Sequence, residues 1–326
     1  MISLQLGPAD LDNIRFSISP LVEVWQSIRA LQNPASETDH LPWITATRAR
    51  VQDLDLSMLY ALQPVRGYSP DFIYQPPTAP SVELEDELRR MMSTPPERIS
   101  AEVSSACRDS SVPALLRPFI EQPEDAVANL AELVRAYWER AMAPHWERIR
   151  AVLQGDVLYR ARQAANGGAR SLFADIDATL HYVDATLVLD KPWEMSIELN
   201  GRGLLFVPSV FLWPGGVVII DDGPWQPTIM YSARGNALLW EPAARAPGAL
   251  STLLGSRRAA VLSSLDAPRS TTELAHRLNM SPSSVSQHLA VLRKAGLISR
   301  HRMGQVVLYL RSTVGDMLAN GRGAES

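Results

Sequence analysis

A stretch near the C-terminus decides the fold: RRAAVLSSLDAPRSTTELAHRLNMSPSSVSQHLAVLRKAGLISRHRMGQVVLYLR, from Arg257 to Arg311. Its first part contains apolar residues that recur every three or four positions, which predicts helices. Its last part contains two β-prone runs about a short turn. This order of elements predicts a winged helix-turn-helix.

The first helix of the motif is predicted over Thr272–Leu278, with Thr271 or Thr272 as its N-terminal cap. A tight turn at Asn279–Met280 is expected to follow it. Its apolar residues Leu274, Ala275 and Leu278 stand at helical spacing.

The second helix starts at Ser281, with Pro282 in the first helical position, where proline is favoured. Gly296 is expected to end it in a left-handed conformation. Three apolar residues fall on one face and are expected to pack inward: Val285, Leu289 and Leu292. Two β-prone runs, 297–302 and 305–310, then predict a hairpin wing.

A helix-turn-helix places the start of its second helix in the major groove of DNA. Short polar side chains suit this position, and four are candidates for base contacts: Ser283, Ser284, Gln287 and His288. Candidates for phosphate or minor-groove contacts are Thr272, Arg293, Lys294, Arg300, Arg302 and Gln305. The sequence therefore predicts a double-stranded DNA partner.

The run SSVSQHLAVLRKAGLISRHRMGQVVLYL resembles the winged helix of ArsR-type bacterial transcriptional regulators, over roughly residues 256–318. The resemblance implies a DNA-binding regulator. Metal-sensing members of that family carry a Cys pair in the helix before the turn, but here this helix reads TTELAHRLN. The acidic and His ligands of the last helix are also absent from STVGDMLANGRG. No metal site and no cofactor are therefore predicted.

The charge distribution favours the same partner. The chain has a net charge of −4, but residues 256–312 contain nine Arg and Lys against two Asp and Glu. Residues 1–255 contain 21 basic and 31 acidic residues. A basic module on an acidic body is typical of a regulator whose body faces away from phosphate.

The single cysteine, Cys107, excludes an internal disulfide. The first residues, MISLQLGPADLDN, do not resemble a signal peptide, and no apolar run approaches the ~18 residues of a membrane helix. We therefore expect a cytoplasmic protein without a membrane partner.

The fold class is predicted to be α+β, in two domains. Residues 1–245 form a mainly helical body, with helices to about residue 178 and a small antiparallel sheet over 180–235, where β-prone runs alternate with Gly-rich turns. Residues 246–326 form the winged helix-turn-helix. The segment LLFVPSVFLWP, followed by YSARGNALLW, resembles an N-terminal region of unknown function that accompanies ArsR-like winged helices in some bacterial regulators.

The body is larger than dimerisation requires, so we expect it to bind a small-molecule effector. Tryptophans suit the wall of an apolar pocket, and the candidates are Trp25, Trp193, Trp213 and Trp225; the alternative is that they only fill the core. For catalysis, Cys107 has no neighbouring His, and GxSxG, HExxH and GxxxxGK[ST] are absent. No catalytic residue is predicted.

The sequence thus predicts a homodimeric regulator, a repressor, that binds a palindromic operator, because a single module reads only a half-site. Two alternatives stay open. One is a winged helix that binds protein instead of DNA, and the other is an enzyme that uses its winged helix for autoregulation.

Overall fold

The computed structural model describes residues 1–65, 67–107, 111–191, 194–212, 218–220, 225–236, 239–240, 248–303 and 306–320. It divides into two compact units, one of residues 1–146 and 161–233, the other of residues 147–160 and 234–326. The predicted domain boundary between residues 245 and 246 lies outside the described residues and stays a prediction.

The first unit is built mainly from helices, and several begin at prolines. Its helices are α1 (Pro8–Asp12), α2 (Pro20–Gln32), α3 (Leu41–Arg50), α4 (Ser57–Leu62), α5 (Leu84–Met92), α6 (Pro96–Ala106), α7 (Pro118–Glu121), α8 (Pro123–Tyr137) and, from α9 (Trp146–Phe173), residue 146 and residues 161–173. A π-helical turn at Trp138–Met142 and a 3-10 turn at Ala143–His145 separate α8 from α9.

Helix α2 is buried along almost its whole length. The backbone amides at its N-terminal end must therefore find hydrogen-bond acceptors inside the protein. Ser19 caps it by accepting a hydrogen bond from the Val22 amide. Glu87 of α5 accepts hydrogen bonds from the Ser19 hydroxyl at 2.5 Å and the Leu21 amide at 2.8 Å. These bonds satisfy donors that the helix cannot satisfy itself and fix α2 against α5.

The strands of the first unit form two four-stranded sheets. The strands are β1 (Ile2–Gln5), β2 (Arg15–Phe16), β3 (Leu180–Val183), β4 (Thr186–Leu189), β5 (Met195–Glu198), β6 (Leu205–Ser209), β7 (Val218–Ile220) and β8 (Thr228–Ser232). Their order is β3-β4-β1-β5 in one sheet and β2-β6-β8-β7 in the other. Side chains of both sheets, such as Leu4, Leu187 and Phe206, share one apolar core with Phe173 of α9.

The predicted α+β class is confirmed, but the sheets are mixed rather than antiparallel. The pairs β3–β4, β1–β4 and β7–β8 are antiparallel, whereas β1–β5, β2–β6 and β6–β8 are parallel. The difference arises because β1 lies between β4 and β5, β2 lies at the edge of the second sheet beside β6, and β6 pairs with β8 instead of β7. Local turn signals carry no information about such partners.

The second unit contains the winged helix. After residues 147–160 of α9 come α10 (Gly248–Leu254), α11 (Ser256–Ser263), β9 (Arg269–Ser270), α12 (Thr271–Leu278), α13 (Pro282–Lys294), β10 (Ile298–Met303), β11 (Val306–Arg311) and α14 (Thr313–Asn320). Its own apolar core contains Leu262, Leu274, Val285, Leu289 and Leu292. The short strand β9 joins the hairpin, which gives a three-stranded sheet in the order β10-β11-β9.

Among the described residues, no helix combines the length and the apolar character needed to cross a membrane.

Candidate nucleic-acid interface

The first helix of the motif, α12, begins one residue earlier than predicted. Its cap is Ser270, not Thr271 or Thr272: the Ser270 hydroxyl accepts a hydrogen bond from the Glu273 amide at 3.2 Å. The Glu273 carboxylate accepts the Ser270 amide in return, at 2.8 Å. This reciprocal box requires an acid three residues after the cap, and the spacing fits only Ser270. Thr272 is exposed in the first turn.

The turn between the helices is sharp because Asn279 adopts the left-handed conformation, with φ of 50° and ψ of 49°. Helix α13 then starts as predicted, with Ser281 as the cap and Pro282 in the first position. The Ser281 hydroxyl accepts the Ser284 amide at 3.2 Å. Val285, Leu289 and Leu292 are buried, so the inward face predicted from their spacing is confirmed.

The opposite face of α13 carries the four residues predicted to contact bases. Ser283 and Gln287 are exposed, and Ser284 and His288 are half-buried. The Nε2 atom of His288 is buried and has no hydrogen-bond partner among the described residues. The serines and the glutamine present short polar groups to solvent, as readout of base edges requires. Base contact by the four residues stays a prediction.

The wing presents Arg300 and Arg302, which are both exposed and, two residues apart on β10, lie on the same side of the hairpin. Arg293 and Lys294 are exposed at the far end of α13. That end lies about 16 Å along the helix axis from Pro282, at 1.5 Å per residue. Gln305 lies outside the described residues. Phosphate contact by these residues and by Thr272 stays a prediction.

Residues 256–300 match the family model described as bacterial regulatory protein, arsR family. The winged helix is that of the ArsR family. The chain is accordingly a DNA-binding transcriptional regulator, and the resemblance noted from its sequence is confirmed. Residues 97–237 match a second model, a family of unknown function called DUF5937.

One solved structure, reduced HlyU from Vibrio cholerae N16961, is similar to the ArsR-family region. It shares 39% identity, over 22% of this chain and 79% of that chain, with a TM-score of 0.19. No curated protein matches the chain.

The ArsR-family unit also carries two basic residues that the sequence did not assign to DNA. Arg257 and Arg258 are exposed on α11, and both lower the pKa of His288, although burial of the imidazole is the larger cause. A groove of about 500 Å³ connects Arg257 with Asn279, Ser281 and Ser284 at the start of α13. Helix α11 therefore brings positive charge close to the N-terminal end of α13. The spacing of residues within α13 could not predict this proximity, because it involves residues of two different helices.

The candidate ligand-binding tryptophans are not brought together within the described residues. Trp25 is fully buried in α2, and Trp225 lies 4.0 Å beneath the guanidinium of Arg98. Trp193 and Trp213 lie outside the described residues. Within the described residues, no group of three or more His, Cys, Asp or Glu side chains is placed to hold a metal ion.

Proposed function

We propose that the chain is a cytoplasmic, homodimeric repressor that binds a palindromic operator, and that a small molecule bound by the N-terminal body controls this binding. The observation that carries the proposal is the polar face at the start of α13, where Ser283 and Gln287 are exposed and Ser284 is half-buried. Arg257 and Arg258 on one side, and Arg300 and Arg302 on the wing, supply the positive charge that phosphate binding requires.

A homodimer is supported by apolar side chains that the unit leaves exposed. Leu253 of α10 is 67% exposed, and Val314 and Met317 of α14 are 54% and 51% exposed. Both helices contribute neighbouring residues, Leu250 and Leu318, to the same apolar core. Exposed apolar patches on a small unit are typical of interaction surfaces. Pairing of two copies through these helices would present two recognition helices to two half-sites.

The experiment that tests the function is genomic footprinting of the purified full-length protein at several salt concentrations. We expect protection of palindromic sites, with an affinity that falls steeply as salt rises. Met317→Glu is expected to disrupt the dimer and to reduce protection of a full palindrome more than binding to a half-site. Specific protection of sites without two-fold symmetry would contradict the homodimer. Absence of any protection, with or without candidate effectors, would favour a winged helix that binds protein.

A further inference from the structure

The first unit contains a cavity of about 150 Å³ beside helix α2. Gln26, Arg29 and Asn33 line one wall of the cavity, since residues separated by three or four positions share a face of a helix. Glu37, from the turn after α2, lines a second wall. Phe211 and Leu212, two and three residues after the end of β6, form the apolar part.

Two buried polar atoms of the cavity lining lack hydrogen-bond partners among the described residues. Gln26 is 2% exposed; its Nε2 donates to the Tyr74 hydroxyl at 3.1 Å, but its Oε1 has no partner. Glu37 is 7% exposed, and its Oε2 has no partner. Rotation of the Gln26 amide exchanges its two polar atoms, so either orientation leaves one of them unpaired. Buried polar atoms are almost always paired, so these two atoms make the region behind the cavity wall unusually polar, although neither atom is open to the cavity itself.

Arg29 adds a positive charge to the same cavity. Its guanidinium makes no hydrogen bond or ion pair within the part of the chain that the structure describes. Burial raises the pKa of Glu37 to about 7, while the charge of Arg29 acts in the opposite direction. A guanidinium with free donors is the side chain best suited to bind a carboxylate, because its planar fork matches the two carboxylate oxygens.

The apolar wall is held in place by a network behind it. Glu23 of α2 accepts a hydrogen bond from the Val210 amide at 2.9 Å. The Phe211 ring lies 4.7 Å from the ring of His40 and 4.6 Å from that of Trp43. The His40 Nε2 atom is 3.0 Å from the Val210 carbonyl oxygen. These contacts fix the wall, so the cavity is formed before any ligand enters, as is usual for small-molecule sites.

We propose that this cavity binds a small α-amino acid. The carboxylate pairs with Arg29, the ammonium group donates to Glu37, and the side chain contacts Phe211 and Leu212. An engineered cavity of about 150 Å³ holds benzene, which limits the ligand to about the size of valine. The binding itself does not require DNA. Control of operator affinity by the ligand rests on the proposed function.

Isothermal titration calorimetry of the full-length protein without DNA tests the site. The probes are L-alanine, L-serine, L-threonine and L-valine at millimolar concentrations. Propionate and ethylamine are the controls, since each presents only one of the two charged groups. We expect at least one amino acid to bind, and both controls to bind roughly tenfold or more weakly, because each loses a charge-assisted hydrogen bond. Absence of binding by all four amino acids would overturn the proposal and leave a cavity filled by water.

Two variants locate the binding. Arg29→Met removes the carboxylate partner, and Ser36→Phe fills the exposed mouth of the cavity. Both are expected to abolish binding, whereas the matched control Arg89→Met, on the exposed face of α5, is expected to leave it unchanged. Binding that survives in both cavity variants would place the amino acid elsewhere and overturn the assignment.

Operator affinity measured with and without the bound amino acid separates this proposal from the proposed function. Amino-acid binding without any specific DNA binding would support the site while contradicting the regulator. Specific DNA binding together with no calorimetric signal for the four probes would support the regulator and contradict the amino-acid site.

Discussion

Gln287 and Arg302 are both exposed on the DNA-binding unit, but they are expected to act on different parts of DNA. The amide of Gln287 can donate and accept together, as a bidentate pair with adenine requires. We expect Gln287→Ala to cost about 1–3 kcal/mol of binding free energy at one base position and little elsewhere. Competition binding against single-base operator variants measures this. Ser286→Ala, on an exposed neighbouring position, is the control, and a uniform loss over all base positions would contradict base readout by Gln287.

Arg302 lies on the wing hairpin and not on α13, so its expected contact is phosphate or the minor groove. Arg302→Ala should weaken binding to all sequences alike and reduce the slope of log affinity against log salt by about one. Fluorescence anisotropy with specific and random duplexes over a range of salt concentrations checks both statements. A change in base preference would show that Arg302 reads sequence.

Arg258 gives a residue-level test that does not need an operator. Burial, and then the charges of Arg258 and Arg257, lower the pKa of His288. Arg258→Ala is therefore expected to raise this pKa, which NMR titration of the imidazole measures. Arg293→Ala is the control. Arg293 is exposed on α13, the helix that also carries His288, but its charge is not among the causes of the pKa shift. An unchanged pKa in Arg258→Ala would mean that α11 does not bring its charge to the recognition helix.

At the scale of the elements, the stability of α12 depends on a cap that sequence spacing assigned to the wrong residue. The Ser270 hydroxyl is expected to contribute about 1 kcal/mol to the free energy of unfolding, as N-terminal caps do. Ser270→Ala should show this loss in urea unfolding of the C-terminal unit. Thr272→Ala, at an exposed position of the same first turn, should change stability by no more than about 0.5 kcal/mol. A larger loss of stability in Thr272→Ala than in Ser270→Ala would instead support Thr272 as the cap, as the sequence predicted.

The elements also show which signals are local. The bounds of α13 were predictable because Ser281, Pro282 and the spacing of its buried leucines all lie within the helix itself. The three parallel strand pairings, in contrast, could not be predicted in this way. For example, β1 pairs with β5 although about 190 residues separate them. The register of such a pair depends on packing of the whole unit and not on any run of residues. The cavity was missed for the same reason, since Gln26 and Phe211 meet only in the folded chain.

At the scale of the whole molecule, buried carboxyl groups couple folding to pH. Burial raises the pKa of Glu23 to about 8, and those of Glu37, Glu87 and Glu273 to about 7, from an ordinary value of 4.5. His40 acts in the opposite direction, because burial lowers its pKa from 6.5 to about 4. Above pH 6.5 this histidine is largely neutral whether the chain is folded or not, so the carboxyl groups dominate the pH dependence there.

The folded protein holds protons on these carboxyl groups that the unfolded chain has already released, so stability must fall as pH rises from about 6.5 to 8. Glu23 alone contributes at most about 1.4 kcal/mol per pH unit. Urea unfolding followed by tryptophan fluorescence reports mainly the first unit, because seven of the eight tryptophans precede residue 234. Glu23→Gln should flatten the fall between pH 7 and 8, whereas Glu124→Gln, on an exposed position, should leave it unchanged. An equally steep fall in Glu23→Gln and in the unaltered protein would mean that Glu23 is already ionised in the folded protein.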